Sequence, residues 1–326
     1  MNRVLNLKKS PIDERDYKVK LSPGSQVKVK GATDLSAFMT PVKDQGNIGS
    51  CTAFAVLGNM EFLQKRFLSK ITILSEKFTY WATRVDVAKW NGNEDSGAYL
   101  RDAIKSVVKF GSCLNSVLPY DKDYKSKPNQ NVYVEAKKYT ALIYARIDEN
   151  NIDVLKANLD AGFPVVAGFI CFNNLFSKNS SRTGIIPLPL PKSRVVGGHA
   201  LLLVGYNDKT KLFKCKNSWN LSGDKGYWYL PYDYYLKGNI FDIWCVYVGL
   251  DNLKEVGLDI TNPILIKKQI QENVNDILTS ITKNIEKITN KKEYEPLFTS
   301  LLDKYKGNIK IISFINSLKE SIDDLQ

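Results

Sequence analysis

The sequence predicts an α+β fold of two packed lobes with a cleft between them. Helix-type periodicity dominates the chain before about residue 110, strand-type patterns dominate from about residue 139, and turn residues separate the segments. Helices first and sheet second argue for lobes that pack against each other rather than for an alternating parallel sheet. At 326 residues the chain can bury a large core and still carry an appendage.

Residues 1–30 are polar and basic, with Pro11, Pro23 and Gly24 and little periodicity, so they read as an extended strap. Residues 31–250 form the body. Phe54, Leu57, Phe62 and Phe67 predict a buried helix over Cys51–Leu68, and Leu100–Phe110 predicts a second one stopped by Gly111. Strands are expected over Tyr139–Ile147, Pro164–Phe172, His199–Tyr206, Leu212–Lys216, Gly226–Leu230 and Ile243–Val248. Residues 251–326 shift to Lys, Ile, Asn and Glu, and Ile270, Val274, Ile277, Ile281, Ile285 and Ile288 place one apolar stripe on a helix. Two shorter helices are expected around Tyr294–Leu302 and Ile309–Leu318.

Composition narrows the function classes. The formal charge is +12, but from Ile260 onward ten lysines face nine acidic residues, so the excess lies in the first 259 residues. No nucleic-acid motif accompanies it there, and no specific nucleic-acid partner is expected. The apolar runs Phe163–Phe172 and Val195–Tyr206 are shorter than the roughly 18 to 20 residues of a membrane span, and the N-terminus lacks the apolar run of a secretory signal. Cytoplasmic synthesis and no membrane association are expected. The five cysteines are odd in number and widely spaced, and a single histidine with no CxxC pair argues against a zinc site; no cofactor or metal is expected.

Chemistry concentrates at Pro41–Phe54, where a glycine-containing turn places Cys51 at the start of a helix. The partial positive charge of a helix N-terminus favours thiolate, yet complete ionisation raises reactivity only about 30-fold over a free thiol. Gln45, six residues upstream, can aim its side-chain amide at the spot served by the Cys51 backbone N–H, and one such oxyanion donor is typically worth about 10²- to 10³-fold. The only imidazole in the chain is His199, in Gly197-Gly198-His199-Ala200. Any proton transfer through a histidine must use it.

Gln45-Gly46 through Phe54, Gly198-His199-Ala200 through Gly205-Tyr206, and Lys216-Asn217-Ser218-Trp219 resemble the cysteine, histidine and asparagine boxes of papain-like cysteine proteases. His199 and Asn217 follow Cys51 by 148 and 166 residues, near the family's spacing of about 130 to 150. The slight excess is assigned to Ser177–Arg194, which has the composition of a surface loop. The resemblance covers residues 32–250. It implies a two-lobed fold, with a helical lobe carrying the nucleophile and an antiparallel, barrel-like lobe carrying His and Asn. It also implies Cys51 as nucleophile, His199 as acid and base, Asn217 as the group orienting the imidazole, Trp219 as its shield and Gln45 in the oxyanion hole. A catalytically silent peptide-binding protein, and an acyl transferase using the same triad, remain alternatives.

The departures from the family carry information too. Where secreted relatives have a disulfide, the chain has Ile48 on one side and Glu94-Asp95-Ser96-Gly97 on the other, and Thr52 replaces the usual tryptophan after the nucleophile. In these respects, and in Asp13-Glu14-Arg15-Asp16, Leu100-Arg101-Asp102 and Leu118-Pro119-Tyr120-Asp121, it is similar to the disulfide-poor branch of prokaryotes and large DNA viruses, which adds packaging in a virion as a location. The resemblance also implies a peptide or protein substrate added to the cleft as a strand on Gly97. Ala98, Tyr99, Leu100, Gly168, Gly197 and Gly198 would surround it, together with Trp219. With no second histidine, the occluding loop of carboxydipeptidase relatives cannot form. Residues 1–30 are expected to cross or flank the cleft and restrain an endopeptidase in the manner of a zymogen, and the C-terminal helices to act as a lid, a self-association or recruitment arm, or a packed layer.

Overall fold

The computed structural model describes residues 3–21, 26–68, 71–121, 123–141, 143–147, 151–247, 258–260 and 298–299. The helix expected over Ile270–Ile288 and the segment Ile309–Leu318 lie outside these residues, as does most of Tyr294–Leu302. Residues 1–261 and 262–326 form separate units.

The first unit begins with a long extended run. It ends in β1 (Val19–Leu21), followed by β2 (Ala32–Asp34). The helical lobe is built from α1 (Cys51–Leu68), α2 (Glu76–Trp81) with a π-helical continuation over Ala82–Val87, α3 (Leu100–Lys109) and α4 (Gln130–Ala136). The α1 helix has the bounds its apolar spacing predicts, and Cys51, Ala53, Val56, Leu57 and Phe62 on it are buried. Gly111, at φ +75°, ends α3 as expected: an added Cβ would meet the Ala136 carbonyl oxygen, so glycine alone fits that left-handed turn.

The second lobe comprises β3 (Ile143–Arg146), α5 (Ile152–Asp160), β4 (Val165–Phe172), α6 (Lys178–Thr183), β5 (Val195–Asn207), β6 (Leu212–Lys216), β7 (Tyr227–Pro231), α7 (Tyr232–Leu236) and β8 (Ile240–Tyr247). The strands run β3-β8-β4-β5-β6-β7 in one antiparallel sheet, with β2 also paired to β5. All eight residues of β8 and most of β4 and β5 are buried, which explains their near-continuous apolar composition. The mixed helices and antiparallel sheet are the expected α+β, two-lobed arrangement. Several local features differ: α2, α4 and α7 add to the expected helices, and β5 and β8 begin at Val195 and Ile240, ahead of the expected His199 and Ile243. The strand expected over Tyr139–Ile147 is β3 and starts only at Ile143; Ser177–Arg194 contains α6 rather than only loop; and α5 interrupts the strands, capped by Asn151, whose side chain accepts from the Asp153 and Val154 amides.

Past residue 250, β9 (Leu258–Ile260) pairs antiparallel with β1. Tyr17 and Lys18 in turn join β3 through the Arg146 N–H to Tyr17 carbonyl bond, so the strap's far end is woven into the sheet lobe. The lobes meet where α1 packs on β5 and β4. A buried ionic network lies there: Lys43 Nζ is 2.6 Å from Glu61 and 2.5 Å from Glu76, while Lys216 Nζ donates to Thr40 Oγ1, which donates to Glu61.

Candidate active site

Cys51 opens α1 and is completely buried. Just before it, Gln45 and Ser50 are tied down by one phenol: Tyr120 OH donates to the Gln45 carbonyl at 2.8 Å and sits 2.7 Å from Ser50 Oγ. Tyr120 also meets Phe54 edge to face, ring centroids 5.0 Å apart. Its segment, Leu118-Pro119-Tyr120-Asp121, thus acts as a brace behind the turn that precedes Cys51.

Across the lobe boundary, β5 carries His199 and the turn after β6 carries Asn217. His199 Nε2 lies 2.8 Å from Asn217 Oδ1, which also accepts the Ser218 N–H at 2.7 Å. An oxygen already accepting one backbone N–H demands a donor from the ring, which fixes the proton on Nε2. Among the described residues His199 Nδ1 has no hydrogen-bond partner, and it carries the lone pair of the ring. Trp219 stacks on the imidazole with centroids 4.3 Å apart and planes 26° from parallel, and Phe169 meets it edge-on. These rings exclude water from the His199–Asn217 bond.

The Gln45 side chain is oriented from both ends. Ser218 Oγ donates to Gln45 Oε1 at 2.6 Å, and Gln45 Nε2 donates one hydrogen to the Ile48 carbonyl at 2.8 Å. Because the carboxamide oxygen is held by Ser218, the NH₂ must face the turn before Cys51, with a second N–H left over. Ser218 was not singled out by the sequence, although it stands between two residues that were.

Burial disfavours the charged form of both Cys51 and His199. Burial pushes the Cys51 thiol up to about 12 against the pull of the Ala200 and Thr52 backbone amides, and the nearby Asp95 carboxylate adds to the rise. Burial pulls His199 down to about 4 despite its bond to Asn217, and the positive charge of Arg3 adds to the fall.

Arg3 belongs to the strap, and residues 3–8 lie along the cleft beside the strand that carries His199. The Gly198 N–H donates to the Leu5 carbonyl at 3.1 Å, the Leu7 N–H to the Gly198 carbonyl at 3.2 Å, and the Lys8 N–H to the Ala98 carbonyl at 3.3 Å. These bonds join the segment to both walls in parallel register, with Asn6 opposite Gly198 and Lys8 opposite Tyr99. Arg3 Nη1 binds Asp44 and the Gly46 carbonyl, and Asn6 Nδ2 donates to the Asp95 carbonyl. The glycines of the cleft make room for it: an added Cβ would lie 2.1 Å from Asn6 atoms at Gly49 and Gly97, 2.0 Å from the Leu5 carbonyl oxygen at Gly197, and 2.7 Å from Leu7 Cδ2 at Gly168.

The expected substrate contacts therefore separate into two kinds. Gly97, Gly168, Gly197 and Gly198 face the segment in the cleft, with Phe241, unforeseen from sequence, beside Gly168. Ala98 presents its carbonyl but packs its side chain inward with Ile48, Ala53 and Tyr80, and Leu100 is fully buried. Tyr99 meets Trp90 edge-on, and Lys8 Nζ lies 4.4 Å from the Trp90 ring. Farther along, Ser10 N donates to Asp242 and Asp16 forms a buried ion pair with Arg101. All five cysteines are free and buried. Among the described residues no group of His, Cys, Asp and Glu could hold a metal, and no helix is long and apolar enough to cross a membrane.

Residues 30–240 match the Papain family cysteine protease domain. The chain belongs to that family. It is 36% identical over 214 residues to an uncharacterized peptidase C1-like protein of Acanthamoeba polyphaga mimivirus, covering 62% of this chain and 68% of that one. The match to cathepsin K of Gallus gallus is 30% over 198 residues, covering 58% of this chain and about half (54%) of the cathepsin. Among solved structures, xylellain, a cysteine protease from Xylella fastidiosa, superposes with a TM-score of 0.67 at 32% identity over 74% of this chain and 95% of that one. The viral and bacterial relatives agree with the disulfide-poor branch suggested by Ile48 and Thr52. The matches thus establish a papain-family peptidase domain.

Proposed function

We propose that this papain-family chain is an endopeptidase that hydrolyses peptide bonds through Cys51, His199, Asn217 and Gln45, and that residues 3–9 restrain it. The tautomer enforced on His199 by Asn217 and the Ser218 amide carries the reading, because it leaves Nδ1 as the base on the side of the imidazole away from Asn217. His199 Nδ1 takes the thiol proton as Cys51 Sγ adds to the substrate carbonyl carbon. The carbonyl oxygen becomes an oxyanion that accepts from the Cys51 backbone N–H and the remaining Gln45 N–H. Imidazolium then gives the proton to the departing amine, leaving a thioester on Cys51. His199 next deprotonates water, which attacks the thioester and releases the acid while Sγ recovers its proton.

The restraint rests on the same observations that describe the strap. Leu5, Leu7 and Lys8 use the backbone groups of Gly198 and Ala98 that an extended peptide would need, and Asn6 fills the space over Gly49 and Gly97. A covered cleft also keeps thiol and imidazole un-ionised, so access and activation are blocked together. Digestion of a peptide library by the full chain, by a chain lacking residues 1–9, and by each with Cys51→Ala tests both parts. Cleavages should depend on Cys51 and multiply on deletion. Identical digests with and without the Cys51 thiol sink the peptidase reading. Products carrying an added amine in place of the new carboxylate would move the assignment to acyl transfer.

A further inference from the structure

We propose that Asp95 is a positioning residue for the active site, its carboxylate aligning the turn before Cys51 and the peptide-binding glycine at once. The proposal deepens the peptidase reading and rests on it.

Both Asp95 carboxylate oxygens lie 3.0 Å from the Gly49 nitrogen, two residues before the nucleophile. Tyr80 OH donates to Asp95 Oδ1 at 2.5 Å and accepts from the Gly97 N–H at 3.1 Å. One carboxylate therefore fixes Gly49 directly and Gly97 through a phenol. An ionised acid suits this place because it is acceptor-only, and both groups that approach it are donors. Asparagine would turn an NH₂ toward one of them.

The rest of the neighbourhood holds this unit rigid. Arg84, fully buried, sits 4.2 Å from the Tyr80 ring centroid and donates to the Gly92, Glu94 and Tyr124 carbonyls, which fixes the loop carrying Asp95. Ile48 packs with Tyr80 and Ala98. The two loops joined in this way are those where secreted relatives place a disulfide. Here the junction consists of an acid, a phenol and an apolar contact, none of which a reducing agent can open.

The arrangement has an electrostatic side. Asp95 is close enough to the nucleophile for its negative charge to oppose thiolate formation. Its benefit to catalysis must therefore be geometric, and that separates positioning from charge tuning.

Asp95→Asn and Tyr80→Phe in the full-length protein test the proposal, with amide exchange at Gly49 and Gly97 followed by NMR and peptide hydrolysis resolved into kcat and KM. Loss of a charge-assisted bond should speed exchange about 10- to 100-fold. Asp95→Asn is expected to do this at both glycines and to lower kcat by about tenfold or more. Tyr80→Phe should affect Gly97 alone and raise KM with kcat held. If Asp95→Asn does not fold, Tyr80→Phe decides: equal effects at both glycines, or none, overturn the clamp. So does a folded Asp95→Asn protein with unchanged exchange at Gly49 or unchanged kcat. If exchange responds as expected but no form of the wild-type chain cleaves peptides, the clamp stands and the peptidase reading falls.

Discussion

Removing residues 1–9 should unmask Cys51 chemically as well as sterically, and the size of the effect follows from its burial. With the thiol pushed up to about 12, only about 10⁻⁵ of it is thiolate at pH 7. Return to the ordinary thiol value of 9.0 would raise that fraction to about 10⁻², a gain of about 1,000-fold before any help from the helix N-terminus or an imidazolium. The assay is alkylation of Cys51 by iodoacetamide across pH 5–10, read by mass spectrometry of the Cys51 peptide. His199 supplies a second probe of the same event. As the sole histidine, its ring protons titrate without overlap, and its pKa should climb from about 4 toward 6.5 when Arg3 and the cover leave. Equal alkylation rates in the full and shortened chains, with an unmoved imidazole, would refute the idea that the strap controls ionisation.

Further outcomes follow from the geometry. Gln45→Ala should lower kcat by about 10²- to 10³-fold in steady-state peptide hydrolysis, the usual loss for one oxyanion donor, while Ser218→Ala, which frees only the Gln45 carbonyl oxygen, should cost less. His199→Ala should leave no activity in the same assay, because no other imidazole exists to substitute. A depressed histidine gives stability that is present above its unfolded value of 6.5 and lost as pH falls toward about 4. Urea denaturation should therefore show the wild type losing about 3 kcal/mol more than His199→Gln between pH 7 and pH 4. Asp16→Ala, which leaves Arg101 buried without its partner, should destabilise the chain by about 3–5 kcal/mol in the same assay.

The three family motifs were legible because their signals are local. Cys51 announces a helix start by the apolar spacing after it, and the three motifs each sit within a dozen residues of chain. The bounds of α1 and β6 were readable for the same reason. Long-range partners were not readable. Nothing near Asp95 says that its carboxylate reaches back to Gly49, nor that Tyr80 bridges it to Gly97. Tyr120 and Ser218 were visible only as neighbours of other features. The α5 helix was overlooked between strands although Asn151 caps it, because short apolar runs such as Val154, Leu155 and Leu159 fit helix or strand equally well. Phe241 emerged only when the β4–β8 register placed it beside Gly168.

The Asp16–Arg101 pair bears on how the strap behaves once it has moved. Behind the cleft-crossing residues the chain is moored at Ser10 to Asp242, at Asp16 to Arg101 and at Tyr17 to β3. A displaced segment of residues 3–9 therefore stays on a leash of a few residues, at an effective concentration of about millimolar or above. Dilution would not release the restraint proposed for this segment. Reactivation by a competing peptide would be reversible and independent of protein concentration, whereas a single cut between Lys9 and the moorings would make it permanent.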